Sequence, residues 1–342
     1  MDQNTGKVLF EKNSHEVRSS ASLMKIMNML LVIEALEDGS ISEDENVVVS
    51  DNAAAVKGVN VWLKSGEILT VSDLMKAMAM ISANDAAMAV AEHMEKSEGK
   101  FTAKMNQKAA ELQLKNTIFK DCIGSDEDGN VTSAYDIAMM ARELMKHSEI
   151  LQYTSTWIDH IRNGQTQIVN KNRLLKTYSG VTGLATGTTE KAGSCIVATA
   201  EKNGMKLIGV LLGCKDPKER SKEIANLLDY GFSEYITVTP EIPKDLPKFL
   251  KIKNGMLSEV EISAPLTKSM LISKHSAKNI SSQVKINLEL TAPVVLNQKV
   301  GEIIYTQGNE PLYTCDIIIN SRVDEITFGA VLKNLVVNFF KL

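Results

Sequence analysis

A chain of 342 residues, 44% hydrophobic and 23% charged, has the composition of a globular protein and is long enough for two domains. Its formal net charge of -4 supplies no basic field to draw it onto a polyanion, which argues against nucleic acid as a partner. Cys122, Cys195, Cys214 and Cys315 are far apart, with neither a C-x-x-C pair nor a Cys/His cluster at zinc spacing, and read as isolated buried thiols.

In chain order, the opening M-D-Q-N-T-G-K-V-L-F lacks the basic, apolar and small-residue regions of a secretory signal, and taken alone suggests a cytoplasmic protein. The longest apolar run, Leu23 to Ile33, is interrupted by Lys25 and Asn28 and falls short of the roughly 20 residues that span a bilayer, so nothing in the chain reads as transmembrane. Helices are predicted at Thr70 to Met80, behind a Thr/Ser/Asp-rich start, and at Asn84 to Met94, behind an Asn-Asp pair suited to capping. Thr132 to Lys146 and Glu219 to Leu228 also read as helices. Between them, Ser194 to Ala200 and Lys206 to Gly213 are β-rich runs around a K-N-G turn, a hairpin pattern. From Val238 the texture changes: Pro240, Pro243 and Pro247 punctuate a linker, and short alternating runs follow at Glu259 to Ile262, Val284 to Leu290 and Cys315 to Ile319. That is the pattern of a small all-β domain. At the end, Phe328, Val331, Leu332, Leu335, Phe339 and Leu342 share one helical face opposite Lys333, Asn334, Asn338 and Lys341. The periodicity fits a helix lying in a membrane interface and equally a helix packed on the β domain.

Three segments could carry chemistry. In Ser22-Leu23-Met24-Lys25, three-residue spacing puts hydroxyl and amine on one helical face, and an apolar helix desolvates the lysine so that a neutral amine becomes available as base. On its own the pattern also fits a capping serine and a snorkelling lysine. Ser82-Ala83-Asn84 sets a hydroxyl two residues before a carboxamide, a pair able to relay a proton and grip a peptide, or simply to cap a helix. Gly183 to Thr189 reads G-L-A-T-G-T-T, a strand along which a substrate backbone could approach and pair.

In this order, S-x-x-K, S-x-N and a T-G pair on a strand, the chain resembles the serine β-lactamases and penicillin-binding proteins. Within that group, M-D-Q-N-T-G-K-V-L-F-E-K-N, A-S-L-M-K-I-M, S-A-N-D-A-A, T-S-A-Y-D-I-A and L-L-D-Y-G-F resemble the low-molecular-mass D-alanyl-D-alanine carboxypeptidases, especially the sporulation-associated ones of Gram-positive bacteria. The likeness runs through nearly the whole chain. It implies an α/β (α+β) serine β-lactamase/DD-peptidase-like domain, an antiparallel sheet flanked by helices, over 1–236. A small β-sandwich over 237–325 and an amphipathic membrane-association helix over 326–342 would follow.

The resemblance further implies Ser22 as nucleophile, Lys25 as its base, Ser82 as proton donor to the leaving D-alanine and Asn84 as a grip on the substrate amide. Backbone N–H groups of Ser22 and Thr188 would form the oxyanion hole. The strand Ala185-Thr186-Gly187-Thr188 and Arg220, in K-E-R-S-K, would bind substrate, Arg220 through its terminal carboxylate. The implied substrate is a peptidoglycan stem peptide ending in D-Ala-D-Ala, β-lactams are the implied covalent inhibitors, and no metal or organic cofactor is called for. Family precursors carry a signal peptide and part of a first strand ahead of the segment matching M-D-Q-N. Met1 is therefore expected to be a truncation point, and the protein to work outside the cytoplasmic membrane, held to its outer face by the C-terminal helix. Ala185 stands where the family has the lysine of K-T-G; Met24 and Asn28 replace threonines and Ala83 a glycine. Two other readings compete: a degenerate member that binds cell-wall peptide or a partner without turnover, favoured by Ala185, and a β-lactamase, disfavoured by the β domain and by the lack of an E-x-x-x-N segment resembling the class A deacylation site.

Overall fold

The computed structural model describes residues 1–126, 128–266, 269–275, 280–329 and 332. The chain divides into two compact units, Met1–Ser233 and Glu234–Leu342.

The first unit is built around helix α1 (Lys25–Glu37), entered through a 3-10 turn at Ala21–Met24. Ten of its residues are buried, including Ile26, Met27, Leu30 and Ile33, because a helix apolar on all sides is stable only when surrounded. Strand β1 (Asn46–Val48), helix α2 (Asp51–Ala55) and strand β2 (Ile68–Thr70) precede α3 (Val71–Ile81). Thr70 caps α3, its hydroxyl accepting from the Asp73 amide at 3.1 Å. α4 (Asn84–Glu95) begins three residues after α3 ends, and α5 (Glu98–Glu111) and α6 (Ala134–Leu144) follow. α6 starts two residues later than its pattern suggests, because Thr132 is held in a β-bridge with Arg18 and Ser133 serves as the cap.

After α7 (Leu151–Thr154), β3 (Ile158–Ile161), β4 (Thr166–Val169) and α8 (Leu174–Thr177), the chain enters the sheet that carries the site: β5 (Val181–Thr189), β6 (Gly193–Lys202) and β7 (Met205–Cys214), antiparallel in that order. The predicted hairpin is β6–β7, closed by Asn203 and Gly204 with φ of 52° and 76°, the positive values a type I′ turn requires. Side-chain alternation gives the sheet two buried faces. Ala185, Cys195, Val197 and Ile208 on one face join the helical core. Gly209 faces Ile224 and Leu228 of α9 (Pro217–Glu234), which is longer than its periodicity indicates because the Asp216 carboxylate caps it at Lys218 and Glu219.

The second unit is all-β. β8 (Tyr235–Val238) pairs with β11 (Met270–Ser273), and a six-stranded sheet runs β12-β14-β15-β10-β9-β13. Its strands are β9 (Phe249–Lys253), β10 (Glu259–Ser263), β12 (Ile280–Ile286), β13 (Glu289–Thr291), β14 (Lys299–Gln307) and β15 (Glu310–Ile319). The single run expected at Val284 to Leu290 is two strands. The Asn287 side chain accepts from the Glu289 amide at 3.2 Å, an Asx-type turn that sends the chain to a different neighbour. Ile252, Val260, Ile303, Ile317 and Ile319 form its core. Most of the segment read as a terminal amphipathic helix, 330–331 and 333–342, lies outside the described residues. Among the described residues no helix is long and apolar enough to cross a membrane.

Candidate active site

The site begins with a buried amine. Lys25 opens α1 and is 1% exposed, surrounded by apolar side chains that cannot solvate an ammonium. Burial is the main cause that pushes its pKa down to about 7. Nζ lies 2.7 Å from Asn84 Oδ1, 2.5 Å from the Ile123 carbonyl oxygen and 3.2 Å from Ser22 Oγ. The first two are acceptors only, so in the neutral amine they engage its two N–H bonds and leave the lone pair for the third neighbour, the Ser22 hydroxyl. That is the arrangement by which a lysine removes a proton from a serine.

Each acceptor is itself fixed. Asn84 was expected to help cap α4, but Ala83 occupies the cap position with no side-chain cap bond, and Asn84 is the first helical residue. Its carboxamide is used at both ends, Oδ1 by Lys25 and Nδ2 in donating to the Lys57 carbonyl at 2.8 Å. Next to it, buried Asp85 accepts from the amides of Val61 and Leu63 and fixes the preceding loop. The Ile123 carbonyl belongs to a loop that the sequence did not single out. Asp121 accepts from the amides of Ile123 and Gly124 at 2.9 and 2.7 Å, and Asn28 of α1 donates to the Cys122 carbonyl at 2.8 Å. Gly124 has φ of +74°, and a Cβ there would lie 2.3 Å from the Ala21 carbonyl oxygen, so this loop meets the nucleophile turn backbone to backbone.

From the other side β5 closes on Ser22. A Cβ on Gly187 would lie 2.9 Å from the Ser22 amide nitrogen and 3.0 Å from Ala21 Cβ. Ala185 shares that face of the strand by alternation and is 6% exposed. Buried Thr186 offers its carbonyl to the Ser82 hydroxyl at 3.2 Å. Ser82 ends α3 with φ of 58°, which removes the reading of this serine as a helix N-cap. Thr188 is exposed, and its hydroxyl donates to the Gly187 carbonyl at 2.8 Å. Arg220 reaches the same end of the strand, 3.5 Å from the Gly187 carbonyl and 3.2 Å from that of Cys195. Its Nε is buried without a partner, and burial lowers its pKa. Ser22, Lys25 and Asn84 thus form one hydrogen-bonded group, while Ser82 and Arg220 join it through the backbone of β5.

A second carboxylate outside the sequence reading holds the far end of β5. Asp126 accepts from the hydroxyls of Ser19 and Thr189 at 3.2 and 2.6 Å, and from the Lys191 amide at 3.2 Å. The only sequence signal for this loop is an acidic residue on either side of Cys122-Ile123-Gly124-Ser125. The cysteines are free thiols, three of them buried. Among the described residues no group of His, Cys, Asp or Glu is placed to hold a metal ion.

Residues 1–216 match the family described as D-alanyl-D-alanine carboxypeptidase, and 244–325 match the penicillin-binding protein 5 C-terminal domain. The D-alanyl-D-alanine carboxypeptidase DacF of Bacillus subtilis is 37% identical over 337 residues, spanning 97% of this chain and 87% of the relative. DacC of Escherichia coli is 33% identical over 333 residues, 95% of this chain and 83% of the relative. Among solved structures, penicillin binding protein 5 of Haemophilus influenzae superposes with a TM-score of 0.80 at 26% identity, covering 95% of this chain and 96% of that one.

Two outcomes are expected from this geometry. The rate of penicillin uptake should fall about tenfold per pH unit below pH 7 and level off above it, since only the neutral amine has a free lone pair; a flat profile from pH 5 to 9 would remove Lys25 as the base. Gly187→Ala should slow uptake by about 100-fold or more, because its methyl group occupies the space before the Ser22 amide. Time courses of adduct formation by mass spectrometry measure both.

Proposed function

This chain belongs to the D-alanyl-D-alanine carboxypeptidase family of penicillin-binding hydrolases, and we propose that it removes the terminal D-Ala from peptidoglycan stem peptides through an acyl-Ser22 intermediate. The observation that carries the reading is the Lys25 amine, pushed down to about 7, with two acceptors occupying its N–H bonds and the Ser22 hydroxyl at 3.2 Å.

In the proposed cycle Lys25 takes the Ser22 proton as Oγ attacks the penultimate D-Ala carbonyl. The developing oxyanion is held by the amides of Ser22 and Thr188, a reading supported by the close approach of Gly187 to the Ser22 amide. Ser82 gives its hydroxyl proton to the departing D-Ala amine as it takes up the one that Lys25 removed from Ser22, which leaves Lys25 neutral again. Asn84 shares its carboxamide between Lys25 and the substrate amide. Arg220, a buried guanidinium with an unpartnered N–H, attracts the terminal carboxylate. Water then hydrolyses the ester and regenerates Ser22. With a β-lactam the same attack opens the ring, and no leaving amine departs to make room for water.

Ala185 favours a second reading, in which the fold binds cell-wall peptide or a partner without turnover. Where the family resemblance calls for lysine, this strand carries a methyl group. One experiment separates the two. Incubated with penicillin, the protein should gain one adduct that Ser22→Ala abolishes, and a peptide ending in D-Ala-D-Ala should release free D-Ala. An adduct without D-Ala release would favour the binding reading, and no adduct at high penicillin and long times would sink the acyl-enzyme mechanism.

We further propose that the protein acts at the outer face of the cytoplasmic membrane through residues 326–342. The support is the sequence pattern of Phe328, Leu332, Leu335 and Phe339 opposite Lys333 and Lys341. Co-sedimentation with vesicles containing anionic lipid should be lost on deletion of 326–342 while penicillin uptake persists; equal sedimentation of both forms would overturn the assignment.

A further inference from the structure

If residues 326–342 hold the protein to a lipid surface, the part of the β-rich unit beside them meets that surface too. We propose that two turns, 254–257 between β9 and β10 and 294–297 between β13 and β14, insert their side chains into the same lipid interface and make a second contact with the membrane. The inference rests on the membrane assignment for 326–342.

The backbone puts both turns where the terminal segment departs. Residues 323–326 run between them. On one edge the amides of Val294 and Val323 each donate to the other's carbonyl, at 2.9 and 3.0 Å. On the other edge Met256 donates to the Asp324 carbonyl and Ile326 to that of Asn254, both at 2.8 Å. The bridges Val294–Val323 and Gly255–Glu325 follow from this pairing. Beneath the turns the core is closed. Val294 and Val323 are buried, and a Cβ on Gly255 would lie 2.8 Å from Ile252 Cγ2 and 3.1 Å from Val323 Cγ1. Asn254 and Asn297 hold the left-handed φ values, 58° and 64°, that reverse the chain at each turn. The turns are therefore fixed to the first residues of the terminal segment, and whatever surface that segment lies on is one they face.

Their side chains are not those of turns that face water. Asn254-Gly255-Met256-Leu257 and Val294-Val295-Leu296-Asn297 contain no charged residue, whereas exposed connections are ordinarily polar. Met256, Leu257, Val295 and Leu296 are between 47% and 57% exposed, Ile326 is 43% exposed and Phe328 is 82% exposed. Of the cations flanking the turns, Lys253 is paired with Glu289 at 2.5 Å and Arg322 with Asp324 at 2.6 Å. What this end offers first is apolar surface rather than positive charge. Six exposed apolar side chains grouped around the root of an amphipathic segment extend the apolar face that such a segment buries at the boundary between headgroups and acyl chains.

The test uses the full chain and vesicles containing anionic lipid. Leu257→Gln combined with Leu296→Gln should weaken vesicle binding about tenfold or more, by a factor that high salt does not diminish, since the lost contact is apolar. Penicillin uptake should stay within about twofold, because both positions lie outside the unit that holds Ser22. Leu296→Trp should be quenched by brominated acyl chains when the protein binds, against the baseline set by Trp62 and Trp157 of the other unit. Unchanged binding by the double variant, or a Leu296→Trp signal untouched by brominated lipid, would overturn the proposal and leave 326–342 as the whole contact. A double variant that loses thermal stability but keeps its lipid affinity would mean that the chain itself covers these turns, which overturns it equally. Should the unaltered protein fail to sediment with vesicles, the membrane assignment for 326–342 falls, and this inference with it.

Discussion

Everything at this site follows from the cost of keeping an amine away from water. Lys25 is embedded in an apolar helix with ten buried residues, and an ammonium there must recover its lost hydration from fixed acceptors or give up its proton. Among the described residues, the acceptors within reach besides Ser22 are the Asn84 carboxamide and the Ile123 carbonyl. With Ser22 Oγ they can engage all three N–H bonds of an ammonium, but all three are neutral and the site is buried, so desolvation still favours the free amine. A serine and a lysine three residues apart occur by chance in many helices; this burial and this pair of partners are what distinguish the pair here.

Four distant parts of the chain meet within a few ångströms of Ser22: its own 3-10 turn, the start of α4, the loop at Asp121–Asp126 and strand β5. Backbone contact makes this density possible. Gly124 and Gly187 approach Ala21 and Ser22 from opposite sides at distances that exclude any side chain. Ser82 and Arg220 are tied in through main-chain carbonyls of β5. The loop and the strand are locked together by Asp126, which holds Ser19 before the nucleophile and Thr189 at the end of β5. The nucleophile is thus positioned from both flanks by elements whose own geometry is fixed elsewhere.

Much of this was legible in the sequence. Helical period and the Thr70 cap located α3, the Asn-Gly pair located the hairpin, and the ordered motifs brought Ser22, Lys25, Ser82, Asn84 and the β5 strand into one family pattern. Other features left no trace that could be read. The Ile123 carbonyl is a main-chain atom, present at every position, so nothing in the sequence identifies it as a partner of Lys25. Asn84 was misassigned as part of a cap because a carboxamide satisfies backbone amides and side-chain amines equally well; only the tertiary fold decides. The run from Val284 to Leu290 kept a strand-like composition through Asn287, whose side-chain turn divides it.

The three groups around the Lys25 amine are a hydroxyl, a carboxamide and a carbonyl, all neutral. Among the described residues no carboxylate is bonded to the amine, and burial, more than the charges nearby, sets the strength of this base. The buried apolar side chains of α1, Met27 and Met29 among them, belong to the core that keeps water from this helix, so the packing of that core bears on the strength of the base. A loosened core would rehydrate Lys25 and let it regain its proton, leaving Ser22 in place with no base beside it. Compactness and reactivity are then one property, and the first sign of a failing core would be a shift in the acidity at which the enzyme switches on, before any loss of shape.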